Sequence, residues 1–132
     1  MKLLSVVGST LLAVVGQTVF AAPQAACVDS KNTPELNACL ADEVAAQSKR
    51  VDSLYESKLK RIQGFDATRT VDRSAPLLVE SQNRWRSFVS ADCAAQASLY
   101  SPGTGVPMFE SRCLLKAYAD RIETLSKNYF SD

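Results

Sequence analysis

Histidine is absent from the 132 residues of this chain, and its absence excludes several kinds of chemistry. The chain cannot form a histidine-dependent catalytic triad, and it lacks the commonest general base and a frequent zinc ligand. The four cysteines include no C-x-x-C pair, which argues against both a zinc site and a thioredoxin-like redox centre. We therefore predict no catalytic residues, no cofactor and no metal ion.

A clear excess of either charge is also lacking, since 15 Lys and Arg face 14 Asp and Glu. Lys2 is the one charged residue among the first 22, so 14 basic and 14 acidic side chains follow it (15 less one, and 14). A balanced chain has no electrostatic reason to bind nucleic acid or an anionic membrane surface. The composition therefore predicts no nucleic-acid partner.

Residues 1–22 have the pattern of a cleaved signal peptide. Lys2 is followed by an apolar run, and the segment ends in the small residues Ala21 and Ala22. The run of about 14 apolar residues is too short to span a bilayer, which needs about 20. We predict a periplasmic or secreted protein with a single domain over residues 23–132 and no stable membrane anchor after cleavage.

Acylation near the start of the mature chain is the alternative to a soluble product. Cys27 lies close to the predicted cleavage site, but Gln24 stands where a lipoprotein signal has Leu or Val. The apolar run also ends well before Cys27. A lipid anchor is therefore disfavoured.

An even number of cysteines in a short exported chain predicts disulfides, and four cysteines allow three pairings. We favour the local pairs, Cys27–Cys39 and Cys93–Cys113, because each would tie an irregular segment to a helix end. Each closed loop would contribute roughly 3 kcal/mol of stability in the chain-entropy description.

Apolar residues at steps of three, four or seven predict a long first helix. Thr33 is its predicted N-cap, with Pro34 in the first helical position, Glu35 in the first turn and Gly64 as the stop. The apolar stripe consists of Leu36, Leu40, Val44, Val51, Tyr55, Leu59 and Ile62.

A second helix follows a polar connector, with Asp72 or Ser74 as its predicted cap and Pro76 in its first turn. Its stripe consists of Leu78, Gln82, Trp85, Val89, Cys93 and Gln96, with Phe88 on the flank. The polar residues Gln82 and Asp92 interrupt this side of the helix. A partly exposed edge, or hydrogen bonds to other helices, is favoured over a specific polar site.

The segment S-P-G-T-G-V-P, residues 101–107, must be a loop, and a third helix should begin between Pro107 and Cys113. Its stripe consists of Leu114 or Leu115, Tyr118, Ile122, Leu125 and Tyr129, and Cys113 lies off it. Three such helices must bury their apolar faces against one another. The predicted fold is all-α, a small disulfide-stapled antiparallel bundle or hairpin of three main amphipathic helices.

The order and spacing of these residues resemble the LprI-like lysozyme-inhibitor family, which contains small exported bacterial helical proteins, most of unknown function. The resemblance covers about residues 27–125. It is carried by Cys27, Thr33, Leu36, Asn37, Cys39, Tyr55, Gln82, Trp85, Phe88, Cys93, Gly103 or Gly105, Cys113 and Arg121. The family often has Tyr-Arg-Asp after the tryptophan, where this chain has Phe88, Val89 and Ser90, so any role of that arginine is missing here.

Each of these motif residues also has a structural interpretation. Tyr55, Trp85 and Phe88 stand at the spacing of core aromatics. Gln82 and Arg121 lie at the borders of stripes, where they would hydrogen-bond between helices.

Three functions remain open. The resemblance implies a lysozyme inhibitor, which would occlude the enzyme cleft with the loop from Tyr100 to Phe109. The alternative is an envelope interaction or structural module with another protein partner. An enzyme using Asp92 and a second acid as a glycosidase pair is disfavoured, because nothing places two carboxylates in a cleft.

Overall fold

Three α-helices make up nearly all of the computed structural model, which describes residues 27–70 and 73–129. Helix α1 spans Thr33–Asp66, α2 spans Ser74–Ser98 and α3 spans Val106–Asn128. No strand occurs in these residues, which confirms the all-α class, and none of the three helices is long and apolar enough to cross a membrane. The predicted signal peptide, residues 1–22, lies outside the described part and stays a prediction.

Helix α1 begins one residue earlier than predicted. Asn32, and not Thr33, is the N-cap, and its Oδ1 accepts the Glu35 N–H at 2.9 Å. The Glu35 carboxylate in turn accepts the Lys31 N–H at 3.0 Å. These two bonds provide side-chain acceptors for two backbone N–H groups at the start of the helix. The helix runs two residues past the predicted stop, because Gly64 has no positive φ that would turn the chain.

The starts of α2 and α3 also differ from the predictions. Ser74 is the first residue of α2 and does not cap it. The N-cap is Arg73, whose side chain makes no capping hydrogen bond, and the other predicted cap, Asp72, lies outside the described residues. The acceptor comes instead from α1, whose Asp66 Oδ2 accepts the Ala75 N–H at 2.7 Å. Helix α3 begins at Val106, just before the predicted range.

The core has two clusters, one toward each end of the bundle. Near the α1–α2 connection, hereafter the connector end, the buried residues are Val51, Ile62, Ala75, Leu78 and Leu125. Near the α2–α3 connection, hereafter the disulfide end, the second cluster consists of Cys27, Leu40 and Leu115. Three further residues of α2 are buried outside both clusters: Val89, Cys93 and Ala97. Each cluster combines residues of α1 and α3 from corresponding ends, so these two helices run parallel and α2 runs antiparallel to both.

Both predicted disulfides are confirmed, and both lie toward the disulfide end. Cys27 and Cys39 have Cα atoms 5.9 Å apart, and Cys93 and Cys113 have Cα atoms 5.5 Å apart, within the usual range. Cys93 is buried, whereas Cys113 is only half-buried, in keeping with its position off the α3 stripe. The second bridge fixes α2 to α3 on either side of the loop between them.

Candidate functional site

A buried hydrogen bond joins α2 to α3 in the middle of the bundle. The Nε and Nη2 atoms of Arg121 donate to Gln82 Oε1 at 3.0 and 2.8 Å, and both side chains are more than nine-tenths buried. This is the interhelical bond that their stripe positions predict. Burial lowers the pKa of Arg121, but arginine starts so far above neutrality that the guanidinium stays charged.

Trp85 packs beside this pair and completes a polar-aromatic centre. The Arg121 guanidinium carbon lies 5.3 Å from the Trp85 ring centroid, a cation–π distance. On its other side Trp85 meets Tyr118, with ring centroids 5.9 Å apart and planes tilted by 52°. A buried cation between a tryptophan and an amide is costly to disturb, so this centre fixes how α2 and α3 pack.

Five of the noncysteine motif residues lie in different surroundings. Gln82, Trp85 and Arg121 meet in the centre just described, and Tyr55 packs against the connector-end core. Phe88 is 65% exposed, so its predicted packing role is wrong. The physical reason is its position on the flank of α2, turned away from the buried residues Gln82 and Val89.

Sequence reasoning missed two buried charged residues of α1. Lys58 is 1% exposed and stands three residues after Tyr55 and four before Ile62, so the stripe spacing marks its position but not the burial of a charge. Asp66 is buried at the end of the same helix. Its acceptor role depends on Ala75, on the next helix, and no local pattern could have found it.

The hydrogen bonds that Asp66 accepts also set its charge state. The Ala75 N–H, followed by the Ser74 N–H, holds the pKa of this carboxyl below its ordinary value, against the opposing effect of burial. The ionised form therefore predominates at neutral pH. A negative side chain at the start of α2 is also favoured by the helix dipole.

The loop at the disulfide end presents an ordered aromatic surface. The rings of Tyr100 and Phe109 are stacked, with centroids 3.6 Å apart and planes within 8° of parallel. Tyr100 is 53% exposed and the adjacent Leu99 is 81% exposed. These three residues form what we call the aromatic tip. The structure brings the two predicted binding residues, Tyr100 and Phe109, into direct contact.

A groove runs from the aromatic tip along the outside of α2 and α3. Its volume is about 520 Å³, and the Cys93–Cys113 bridge, Val89 and Ala117 contribute apolar surface to it. The more polar or aromatic side chains of this α2–α3 groove are Phe88, Asp92, Gln96, Phe109, Arg112, Lys116 and Asp120. Asp92 accepts a hydrogen bond from Gln96, its neighbour along α2, which agrees with the exposed-edge interpretation of this position.

These arrangements offer binding surfaces, and they do not form a recognisable metal centre. Within residues 27–70 and 73–129, no group of three or more potential ligands from Cys, His, Asp or Glu converges on one point. Asp92 and Asp120 both line the groove, but each interacts with a different side chain. Asp92 accepts a hydrogen bond from Gln96, and Asp120 forms an ion pair with Lys116.

Comparison with known proteins supplies the family. The model of the family described as lysozyme inhibitor LprI matches residues 24–125, a span that includes both disulfides, the Trp85 centre and the aromatic tip. The chain belongs to the LprI family. No curated protein and no solved structure matches it significantly. The family is thus described as one of lysozyme inhibitors.

Proposed function

We propose that this LprI-family protein is a non-enzymatic inhibitor that binds lysozyme and blocks its substrate cleft with the aromatic tip. The observation that carries the proposal is the stacked pair Tyr100 and Phe109 at an exposed end of the bundle. Aromatic side chains in such positions supply large contact areas and often dominate binding energy.

The tip is held in shape before it meets a partner. The Cys93–Cys113 bridge ties the two helices that flank the loop, and the Asn37 side chain donates to the Thr104 carbonyl oxygen at 3.3 Å. The loop is thereby joined to α1 as well as to α2 and α3. Less conformational freedom is lost on binding when a surface is ordered in advance, which favours affinity.

Charge gives this interaction little help. The chain after residue 22 has equal numbers of acidic and basic side chains, so it does not steer a basic enzyme from a distance. The proposal therefore assigns affinity to shape and apolar contact at the tip. Inhibition is therefore expected to depend only weakly on ionic strength.

The proposal includes export to the periplasm or the exterior, where cell-wall-degrading enzymes act. The predicted signal peptide at residues 1–22 and the two disulfides support this location, because disulfides persist in oxidising compartments.

A turbidity assay tests the function. Lysozymes of several types clear a cell-wall suspension while the oxidised protein is titrated in, and saturable slowing of clearance is expected for at least one type. The double variant Tyr100→Ala/Phe109→Ala should inhibit at least about tenfold more weakly, since two aromatic anchors are removed.

The matched control is Leu77→Ala, an exposed apolar residue at the connector end with 64% of its surface accessible. It should inhibit as well as the unaltered protein. Equal inhibition by the double variant would contradict the assignment to the tip. If no lysozyme is inhibited by the folded protein, the alternative of another envelope partner gains support, and co-purification from envelope extracts would identify it.

A further inference from the structure

Phe88 is an exposed aromatic residue in the middle of α2, on the flank of the helix that is turned away from the buried residues. It is 65% accessible and lines the α2–α3 groove. Phe109 lines the same groove nearer the tip, where its ring is stacked on Tyr100. The groove therefore has phenyl surface at two separate points along its length.

The charges that line the groove cancel. Asp92 and Asp120 balance Arg112 and Lys116, and Lys116 Nζ already pairs with Asp120 Oδ2 at 2.6 Å. A site with no net charge exerts no overall attraction on an anion or a cation. The occupant that fits best is uncharged.

The same side chains offer hydrogen-bond donors and acceptors side by side. Gln96 Nε2 donates to Asp92 Oδ2 at 2.8 Å, a bond that leaves further acceptor capacity on the Asp92 carboxylate and on Gln96 Oε1. The exposed Arg112 adds planar guanidinium donors. A hydroxyl group both donates and accepts, so it can bond to either member of such a mixed array.

We infer that the α2–α3 groove is a binding site for a neutral oligosaccharide. A sugar ring combines an apolar C–H face, which would stack on Phe88, with hydroxyl edges, which would meet Asp92, Gln96 and Arg112. The volume of about 520 Å³ lies in the usual range for small-molecule sites. This site adjoins the aromatic tip and shares Phe109 with it, but the sugar contacts at Phe88, Asp92 and Arg112 do not depend on the proposed contact with lysozyme.

The test is a chemical-shift titration of the ¹⁵N-labelled, oxidised protein with chitotriose, cellotriose and maltotriose, in the absence of lysozyme. At least one of these sugars should give saturable shifts with a Kd on the order of 1 mM, weak because the groove is open. The shifts should centre on the backbone amides of Phe88, Asp92 and Arg112.

Two variants make the titration specific. Phe88→Ala, at an exposed position, should keep the fold and weaken binding about tenfold, while Leu77→Ala at the connector end should bind as the unaltered protein does. The absence of saturable shifts with all three sugars would overturn the inference, and so would shifts centred outside the groove.

Self-association is a further outcome that would overturn it. If sedimentation depends on protein concentration, if Phe88→Ala abolishes that dependence and if no sugar binds, the groove is instead a contact between copies of the chain. None of these results bears on inhibition, because lysozyme is assayed separately. Failure of the sugar site and failure of the proposed function can therefore be told apart.

Discussion

The two ends of the bundle are held together by different means. The disulfide end has the cluster of Cys27, Leu40 and Leu115 and both covalent bridges, Cys27–Cys39 and Cys93–Cys113. The connector end has five buried core residues, and it uses Asp66 to accept backbone N–H groups at the start of α2. Covalent cross-links thus hold one end, and a buried carboxylate at a helix start helps to hold the other.

This difference explains where an ordered binding surface can form. A small domain has little core to spare, so a loop that leaves aromatic residues exposed needs another source of stability. The Cys93–Cys113 bridge provides it next to Tyr100 and Phe109. At the connector end, order depends on apolar burial and on hydrogen bonds, which acid or substitution can disturb.

The largest expected effect comes from removing the bridges one at a time. The pairs Cys27→Ala/Cys39→Ala and Cys93→Ala/Cys113→Ala should each lower the free energy of unfolding by about 3 kcal/mol, measured by urea denaturation. Their losses should agree to within about 0.5 kcal/mol, because the sequence separations, 12 and 20, enter only as a logarithm.

The two variants should differ in how strongly they inhibit lysozyme, although they should lose similar free energies of unfolding. Loss of Cys93–Cys113 removes the tether of the aromatic tip and should weaken lysozyme inhibition, while loss of Cys27–Cys39 should leave it nearly unchanged. Equal inhibition by the two folded variants would show that the second bridge has no special role in binding.

A smaller effect is expected at the centre formed by Gln82, Trp85 and Arg121, where Trp85 packs against the connector-end cluster. Arg121→Ala should lower the free energy of unfolding by about 2 kcal/mol, because it strands the buried Gln82 oxygen and removes the cation beside Trp85. Combining it with Gln82→Leu should cost less than the sum of the two single changes. Strict additivity in urea unfolding would contradict the pairing.

The connector end should be the more acid-sensitive of the two. Because N–H bonds depress the pKa of Asp66, its contribution to stability is complete above the unfolded-state pKa and declines as pH falls through the folded-state pKa. Thermal unfolding should therefore show a loss below about pH 4 that Asp66→Asn reduces. At neutral pH that variant should be less stable than the unaltered protein, by less than a disulfide deletion.

The smallest expected effect is a gain. Gly64 lies in the last turns of α1, with nothing within 4 Å of the position a Cβ would occupy and without a positive φ. Gly64→Ala should raise the free energy of unfolding by about 0.5–1 kcal/mol through better helix propensity. No gain in urea unfolding would indicate that the end of α1 is strained in a way its geometry does not show.

Much of the fold could be predicted because its signals are local. The spacing of Leu40, Val51 and Ile62 marks the buried face of α1, and the segment predicted as a loop from Ser101 to Pro107 contains the break before α3, although its last two residues are helical. The local pairing of the cysteines was favoured because each pair would tie an irregular segment to a helix end. Errors at helix starts, such as Thr33 for Asn32, were of one residue, because several neighbouring residues can accept the same N–H groups.

The candidate surfaces were only partly predictable. The exposed tip could be located because its aromatic residues flank a Gly/Pro loop between two cysteines. The exposure of Phe88 could not be predicted, because Phe88 lies on a flank of α2 that a neighbouring helix could equally have covered.

The sequence by itself determined three helices and favoured the two local disulfides, because helical periodicity and the pairing of nearby cysteines depend on residues close together in the chain. Tertiary structure alone decided that Tyr100 stacks on Phe109, that Asp66 accepts a backbone N–H at the start of α2 and that Phe88 lines a groove. Those outcomes depend on how far apart the helices lie and how each is turned about its axis, and packing of the whole bundle sets both.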